Sequence, residues 1–426
     1  MTTAAVVPVT SAASSDALQE LIATMALPTK RDEAWRYAPH SLLERLSFGH
    51  PCNLEPSATS EIDAQIPQLD GPRVVLVNGV IDNARSSITA LPAGVHLSTP
   101  DEEARHDRDV TTIDAGPAAA FADVFAALNV AFSDEGVDVH IGPGHQVDGP
   151  IHIVTVSSPT VSSETASSET PSQNASCSRL TIRIDAGSSA TVVETRLGVS
   201  DEFSGSNVGV TISLAEDAKL DHIVIQDVPS SQVHLSRAEA SQGARSELRA
   251  RLFNLGGAYG RLAYDVHLEG EGASVDLGGL YLGAGNQVLD QQITVVHAAE
   301  NCASRQTFRG VLDDESTGVF NGAIEVRPGA NGTDAEQSND SLLLSNRAEA
   351  NTQPRLEILA DDVACKHGAT VGQLDDEAMY YLRTRGIAAD EARRLLINGF
   401  ADQAVHEVPV ESLRKWLAHR LGHDHE

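Results

Sequence analysis

A recurring corner constrains this chain more than any other feature. Between about residues 137 and 372, a small or polar residue followed by alanine precedes one short alternating run after another: Ser189-Ala190, Asp217-Ala218, Gly243-Ala244, Gly272-Ala273, Cys302-Ala303 and Gly329-Ala330. The alanines are spaced 28, 26, 29, 30 and 27 residues apart. The runs between corners have period two, as in Leu180/Ile182/Ile184 and Val208/Val210/Ile212/Leu214, and such runs are strands. A fixed period of about 20 to 50 residues marks units that bury their apolar faces only by stacking on their neighbours. With no helical period inside the repeats, the pattern predicts a mainly β chain whose core is a right-handed parallel β-helix. A propeller, which spends about 40 or more residues on each blade, comes second. Accidental periodicity around a β-sandwich is the remaining alternative.

The flanks read differently. We expect an N-terminal mixed α/β domain over 1–110, the β-helix core over 111–372 and a C-terminal helical domain over 373–426. A helix is expected around Asp16 to Met25, an Arg-Asp-Glu-Ala-Trp-Arg-Tyr segment spans Arg31 to Tyr37, and an alternating strand covers Val74 to Val77. Prolines 28, 39, 51, 56 and 67 punctuate this region, because each removes a donor and biases its predecessor away from helix. Phe121, Phe125, Leu128 and Phe132 follow at near-helical spacing. Residues 157–178, rich in Ser and Thr with almost nothing apolar to bury, predict a disordered surface loop. After Gly372, Asp375 and Asp376 can cap a helix ending before Gly386, Leu395, Leu396 and Phe400 mark a second, and Pro409 opens a third with Leu413, Trp416, Leu417 and Leu421. Such a module can cap the end of a solenoid or bind a partner, and the residues favour neither.

Charge and composition exclude several functions. The 426 residues carry 30 basic against 60 acidic side chains, a formal charge of −30. Nucleic-acid affinity depends on Lys and Arg displacing counterions, so no nucleic acid is expected. The four lysines, Lys30, Lys219, Lys366 and Lys415, follow Thr29, Ala218, Cys365 and Arg414. A phosphate-binding loop needs glycine directly before its lysine, so this chain is not itself a P-loop ATPase and is expected to bind no nucleotide. The N-terminal segment lacks a positive n-region and a long apolar run, and no stretch approaches the roughly 18 apolar residues of a membrane span. We therefore expect a cytoplasmic protein with no membrane partner. Cys52, Cys177, Cys302 and Cys365 include no C-x-x-C, which rules out a cluster or zinc site held by one local motif.

The densest group of metal-capable side chains runs from Glu357 through Asp361, Asp362 and Cys365 to His367. On a strand, Cys365 and His367 share a face, so thiolate and imidazole can address one soft or borderline metal, while Lys366 points the other way. Two ligands do not complete a tetrahedral site. Anything held here needs ligands from elsewhere, such as a second chain. Read from these residues alone, a structural cysteine beside a hydrogen-bonded histidine remains the competing account. The tail residues His419, His423, Asp424 and His425 read as solvated. No G-x-S-x-G or H-E-x-x-H occurs, and the glycines between Gly278 and Gly285 read as turn residues. The pairs Asp313-Asp314 and Asp361-Asp362 raise the rival of a β-helix carbohydrate-active enzyme, but adjacent strand residues face opposite ways.

Several segments carry a specific likeness: Ser304 to Leu312 (SRQTFRGVL), Gly318 to Gly322 (GVFNG), Thr333 to Asn339 (TDAEQSN), Cys365 to Thr370 (CKHGAT), Gly372 to Asp375 and Tyr381 to Ile387, with Glu33 to Tyr37 near the start. Through these the chain resembles the SufB/SufD family of iron–sulfur cluster assembly scaffolds, on its SufD side. The resemblance implies a non-catalytic scaffold subunit that pairs with a SufB-like paralogue and binds a SufC-type ATPase through its C-terminal helices. It also implies that His367, with Cys365 beside it, helps hold a transient iron–sulfur cluster shared with the paralogue, and it leaves flavin binding open. The alternative inside the family is the sulfur-accepting, SufB-like subunit. An exposed solenoid edge also favours pairing with a second copy of the chain.

Overall fold

The computed structural model describes residues 22, 24–49, 59–88, 91–99, 124–133, 136–158 and 174–421. Among these residues, nineteen strands build two facing sheets. Three short strands come first, β1 (Arg73–Val77), β2 (Val80–Ile81) and β3 (Val95–Ser98), followed by the shortest strand of the repeat, β4 (Gly136–Ile141), and by β5 (Gln146–Ser157). Pairs of similar length then alternate between the sheets: β6 (Ala175–Ile184) and β7 (Ser189–Gly198), β8 (Gly205–Leu214) and β9 (Lys219–Asp227), β10 (Val233–Gln242) and β11 (Glu247–Asn254). The series continues with β12 (Tyr259–Leu268) and β13 (Ser274–Gly283), then β14 (Val288–His297) and β15 (Ala303–Leu312). It ends with β16 (Thr317–Val326) and β17 (Thr333–Leu343), then β18 (Glu349–Ile358) and β19 (Val363–Gln373).

Odd-numbered strands from β5 to β19 lie side by side in one sheet and even-numbered strands from β4 to β18 in the other, each parallel to the strand one turn earlier. This is the parallel β-solenoid that the repeat predicts. The register confirms the period but moves its phase. Ser189, Lys219, Glu247, Ser274, Ala303 and Asp334 are successive partners, at spacings of 30, 28, 27, 29 and 31 residues. The corner column just before them is Ser188, Ala218, Ser246, Ala273, Cys302 and Thr333, all buried. Of the six alanines in the sequence pattern, only Ala218 and Ala273 belong to it. The physical requirement is a small side chain, and where that side chain carries a donor it serves a nearby carbonyl. Ser246 Oγ donates to the Gly243 carbonyl at 2.8 Å, Thr333 Oγ1 to that of Ala330 at 2.8 Å, and Cys302 Sγ to that of Gly270 at 3.3 Å. Immediately before each corner residue the backbone is left-handed, with φ between 54° and 74° at Gly187, Asp217, Arg245, Gly272, Asn301 and Gly332. Glycine, Asn and Asp tolerate that region, so Arg245 is the strained member of the column.

Isoleucine, leucine and valine fill the space between the sheets in the early turns, as at Ile153, Ile182, Ile212 and Val224. Toward the C-terminal turns the same inward positions become Gln306, Gln337, Asn339 and Ser341, all buried. Embedded in the aliphatic turns is a buried ionic chain. Glu194 binds Arg196 at 2.9 Å and His222 at 2.7 Å, and His222 continues to the Tyr264 hydroxyl at 2.9 Å. Burial opposes ionisation of Glu194, but Arg196 and His222 together outweigh it and hold the carboxyl down at about 2.

The glycines of β13 are not turn residues, contrary to the sequence expectation. Gly278, Gly279 and Gly283 lie within the strand, and a Cβ on Gly279 would stand 2.5 Å from the Leu252 carbonyl oxygen and 2.7 Å from the Phe308 ring. The Ser/Thr-rich stretch is also narrower than expected. Ser157 closes β5, and Ala175 to Ser178 open β6 with Ala175 and Cys177 buried, because alternating small residues satisfy a rung even without large apolar groups. Residues 159–173 of that stretch lie outside the described residues, as do Cys52, Phe121 and most of the helix expected from Asp16, of which Ile22 and Thr24 are helical.

Both outer faces of the solenoid are covered. On the even sheet, Trp35, Phe48 and the helix Val124–Phe132 pack against Ala175, Cys177, Leu235 and Tyr259. Arg261 fastens this layer, stacking 3.9 Å over the Trp35 ring while donating to the Ala34 carbonyl at 2.8 Å and to Asp290 at 2.5 Å. On the odd sheet, the C-terminal helices Asp376–Thr384, Ala389–His406 and Glu411–Arg420 lie along the wall. Ala401, Ala404, Val405, Leu413 and Leu417 bury themselves against Val193, Ile223, Ile225, Phe253 and Leu280. The middle helix therefore buries its alanine face. Leu395, one of the residues that mark this helix in the sequence, is 42 % exposed, because only small residues let the helix approach the sheet closely. Of the two roles open to this module, covering the last turn is the one it does not fill: it packs beside the solenoid, and β18 and β19 are largely exposed.

Three buried histidines make stability depend on pH: His234 is held well below the ordinary imidazole range by burial and by Arg196, and two others are held down less completely. Burial, reinforced by Arg73, depresses His152 to about 3, and burial alone depresses His297 to about 4. Each binds a proton more weakly in the folded chain than in the unfolded one, so the unfolded state takes up protons first as pH falls below about 6.5. We expect the urea midpoint to fall steadily from pH 6.5 toward 4, with each histidine contributing up to about 1.4 kcal/mol per pH unit. Glu194, whose carboxyl is depressed, adds to the loss only below about 4.5, its ordinary range. Replacing His152 with Gln should flatten the slope, and an unchanged slope would contradict the assignment.

Candidate cluster-binding edge

Cys365 and His367 sit on β19, the last strand of the odd sheet. Their register partners are Ala335 and Gln337, both buried in the solenoid interior, so the two side chains share the inward face as the alternation predicts. No further strand follows in the described sheet, and the inward face at β19 is consequently open. His367 is exposed, while Cys365 is partly buried against Ile324, Val326, Ala330 and Ala335.

Lys366 lies on the opposite face, and its charge is already engaged. Its ammonium meets Glu336 at 3.0 Å, in a surface ladder where Arg305 also binds Asp334 at 2.6 Å. The Cys365 thiol is pushed up, first by burial and then by the Asp334 carboxylate. It is therefore a protonated, half-covered thiol in the free chain. Among the described residues, no group of three or more His, Cys, Asp or Glu side chains converges in a way that could hold a metal ion. The edge thus presents two soft or borderline ligands and no completed site. The other histidine candidates do not join it: His419 lies on the last helix, beside the wall, and His423, Asp424 and His425 lie outside the described residues.

Behind the edge is a polar interior that the sequence did not single out. Tyr281 donates or accepts at Ser341 Oγ, 3.0 Å away, and meets Asn339 Oδ1 at 3.1 Å, and Asn339 reaches across to Thr352 of the facing sheet at 3.2 Å. Gln337 donates to Gln306 at 2.7 Å. Only the inward register reveals these groups, since glutamine and asparagine in an alternating strand normally signal the solvent side.

A family model described as the SUF system FeS cluster assembly, SufBD core domain, matches residues 165–400, and a second, the SufBD protein N-terminal region, matches residues 2–153. The chain belongs to the SufBD family. It is 29% identical over 406 residues to the iron–sulfur cluster assembly protein SufD of Escherichia coli, covering 95% of this chain and 90% of the relative. A SufBD family protein of Synechocystis is 29% identical over 397 residues, 93% of this chain and 87% of the relative. The chloroplastic protein ABCI7 of Arabidopsis thaliana is 27% identical over 408 residues, 94% and 83% respectively. These matches span both the solenoid and the layers packed on its walls. No helix among the described residues is long and apolar enough to cross a membrane.

The state of the Cys365 thiol can be checked directly. At pH 8 we expect iodoacetamide to modify Cys365, followed by peptide mapping, more slowly than an unstructured cysteine, since only the thiolate reacts. Asp334→Asn should speed the reaction by removing the carboxylate that raises the thiol. A rate above that of the unstructured thiol would contradict the geometry.

Proposed function

We propose that this chain is a non-catalytic scaffold subunit for iron–sulfur cluster assembly, of the SufD type, whose last rung contributes His367 and Cys365 to a cluster held jointly with a SufB-like paralogue. The observation that carries this reading is the two-ligand edge on an open inward face, inside a family whose model describes cluster assembly. The iron and sulfide are cargo, and tetrahedral iron needs ligands that this edge does not supply alone. A paralogue laying its own last rung against β19 would supply them. The raised Cys365 thiol favours the SufD-type role over that of a sulfur acceptor, which needs an activated thiolate.

Nucleotide chemistry falls to a separate ATPase, for which the first C-terminal helix offers a surface. Asp375 caps that helix, its carboxylate accepting from the Glu377 amide at 2.8 Å. The helix buries no residue of its own, and Tyr380 is 71 % and Tyr381 56 % exposed. These rings, with Leu395 of the next helix, suit the apolar side of a SufC-type partner.

Two measurements test the reading. In the assembled complex, His367→Ala should cut the iron and sulfide bound per complex under anaerobic reconstitution several-fold, without changing subunit stoichiometry. Full cluster content in that variant would remove His367 from the site. Tyr380→Asp combined with Leu395→Asp should abolish capture of the ATPase and leave the thermal melt of this chain unchanged. Deleting the helices is a poorer test, because it would uncover Ile223, Ile225 and Phe253. Undiminished capture by the double variant would place the docking surface elsewhere.

A further inference from the structure

Three segments that bear the family likeness converge behind His367, and what they place there is an amide column. Gln306 of β15, Gln337 of β17 and His367 of β19 are consecutive register partners on the inward face. Adjacent strands stand about 4.8 Å apart, so each side chain is the immediate neighbour of the next. Gln306 and Gln337 are 0 % and 1 % exposed. Gln337 Nε2 donates to Gln306 Oε1 at 2.7 Å, with the Gln337 carboxamide nitrogen toward Gln306, whose own Nε2 is buried without a partner. The Gln337 oxygen, Oε1, is buried and has no partner.

The facing sheet leaves room for this group. A Cβ on Gly322 would fall 2.0 Å from Gln337 Nε2, so the glycine of the GVFNG segment is the recess that the carboxamide occupies. Buried amide oxygens are rarely left without a donor, because the lost solvation is not recovered. One rung further on stands the one inward side chain of β19 with an N–H that turns on a ring, that of His367. Cys365 offers a weaker donor and lies beside Ala335, and Ala369 and Val371 offer none.

We propose that Gln337 is the positioning residue for His367: its free carboxamide oxygen accepts the N–H of one imidazole nitrogen, selecting a single tautomer and aiming the other nitrogen out of the open edge. Gln306 orients Gln337 in turn. The proposal rests on the reading of His367 as an iron ligand for its purpose, but the hydrogen bond itself belongs to this chain alone. A ligating histidine whose second nitrogen is anchored keeps its lone pair in place, and loss of such an anchor lowers metal affinity about 10- to 100-fold.

The test uses the full chain with isotope-labelled histidine, the ring nitrogens of His367 being those absent from the spectrum of His367→Ala. We expect one tautomer to dominate in the unsubstituted chain and a mixture of both in Gln337→Met, which keeps the volume and removes the acceptor. If Gln337→Met folds poorly, Gln306→Met, which frees the Gln337 carboxamide to turn, should shift the populations in the same direction. In the assembled complex, Gln337→Met should weaken iron binding about 10- to 100-fold with the complex intact. Unchanged tautomer populations in these variants would overturn the proposal. Undiminished iron in His367→Ala would overturn only the ligand reading on which its purpose rests.

Discussion

Everything in this molecule depends on in-register parallel pairing between one turn and the next. Each rung satisfies the backbone of its neighbour and covers its neighbour's inward side chains, so a residue's environment is set by which rung it occupies as much as by its type. In the middle of the stack the same alternation buries Val224 and Leu252, and at the end it leaves His367 accessible. The candidate site is thus a rung with no successor in the described sheet. No pocket had to be shaped for it.

The interior is graded along the axis. Early and middle turns hold branched aliphatic side chains, with the Glu194, Arg196 and His222 chain embedded among them, and the last turns hold amides and hydroxyls. Buried polar groups restrict partners and register in a way that aliphatic packing does not, at some cost in stability. Their concentration behind β19 means that the open end rests on a directional lattice rather than on adaptable apolar contacts. The Tyr281, Asn339 and Thr352 bridge ties β17 to the facing β18 beside the strand that carries Cys365 and His367.

Much of this was legible in the sequence. Period-two runs and a spacing near 28 residues are direct images of strands and rungs, and the alternation of Cys365 and His367 placed them on one face. The phase of the repeat was not legible, because alanine marks small volume while the corner also accepts Ser, Cys and Thr that can reach a carbonyl. The β13 glycines carry a related ambiguity: a glycine that admits the Phe308 ring looks in sequence like one that admits a turn. Glutamines 306 and 337 went unnoticed since composition ties amides to the surface, and only the register shows them inside. The burial of the alanine face in the middle C-terminal helix needed the sheet it lies on to be known.

The two ends of the solenoid are unlike. At the N-terminal end, β2 and β3 close the two sheets as antiparallel strands of two and four residues, too short to template another rung. At the other end, β18 and β19 run ten and eleven residues and lie open. Among the described residues, the long unpaired edges lie at one end of the stack only. In-register growth of the sheets is therefore open at β18 and β19 and blocked at β2 and β3, which gives the stack a direction.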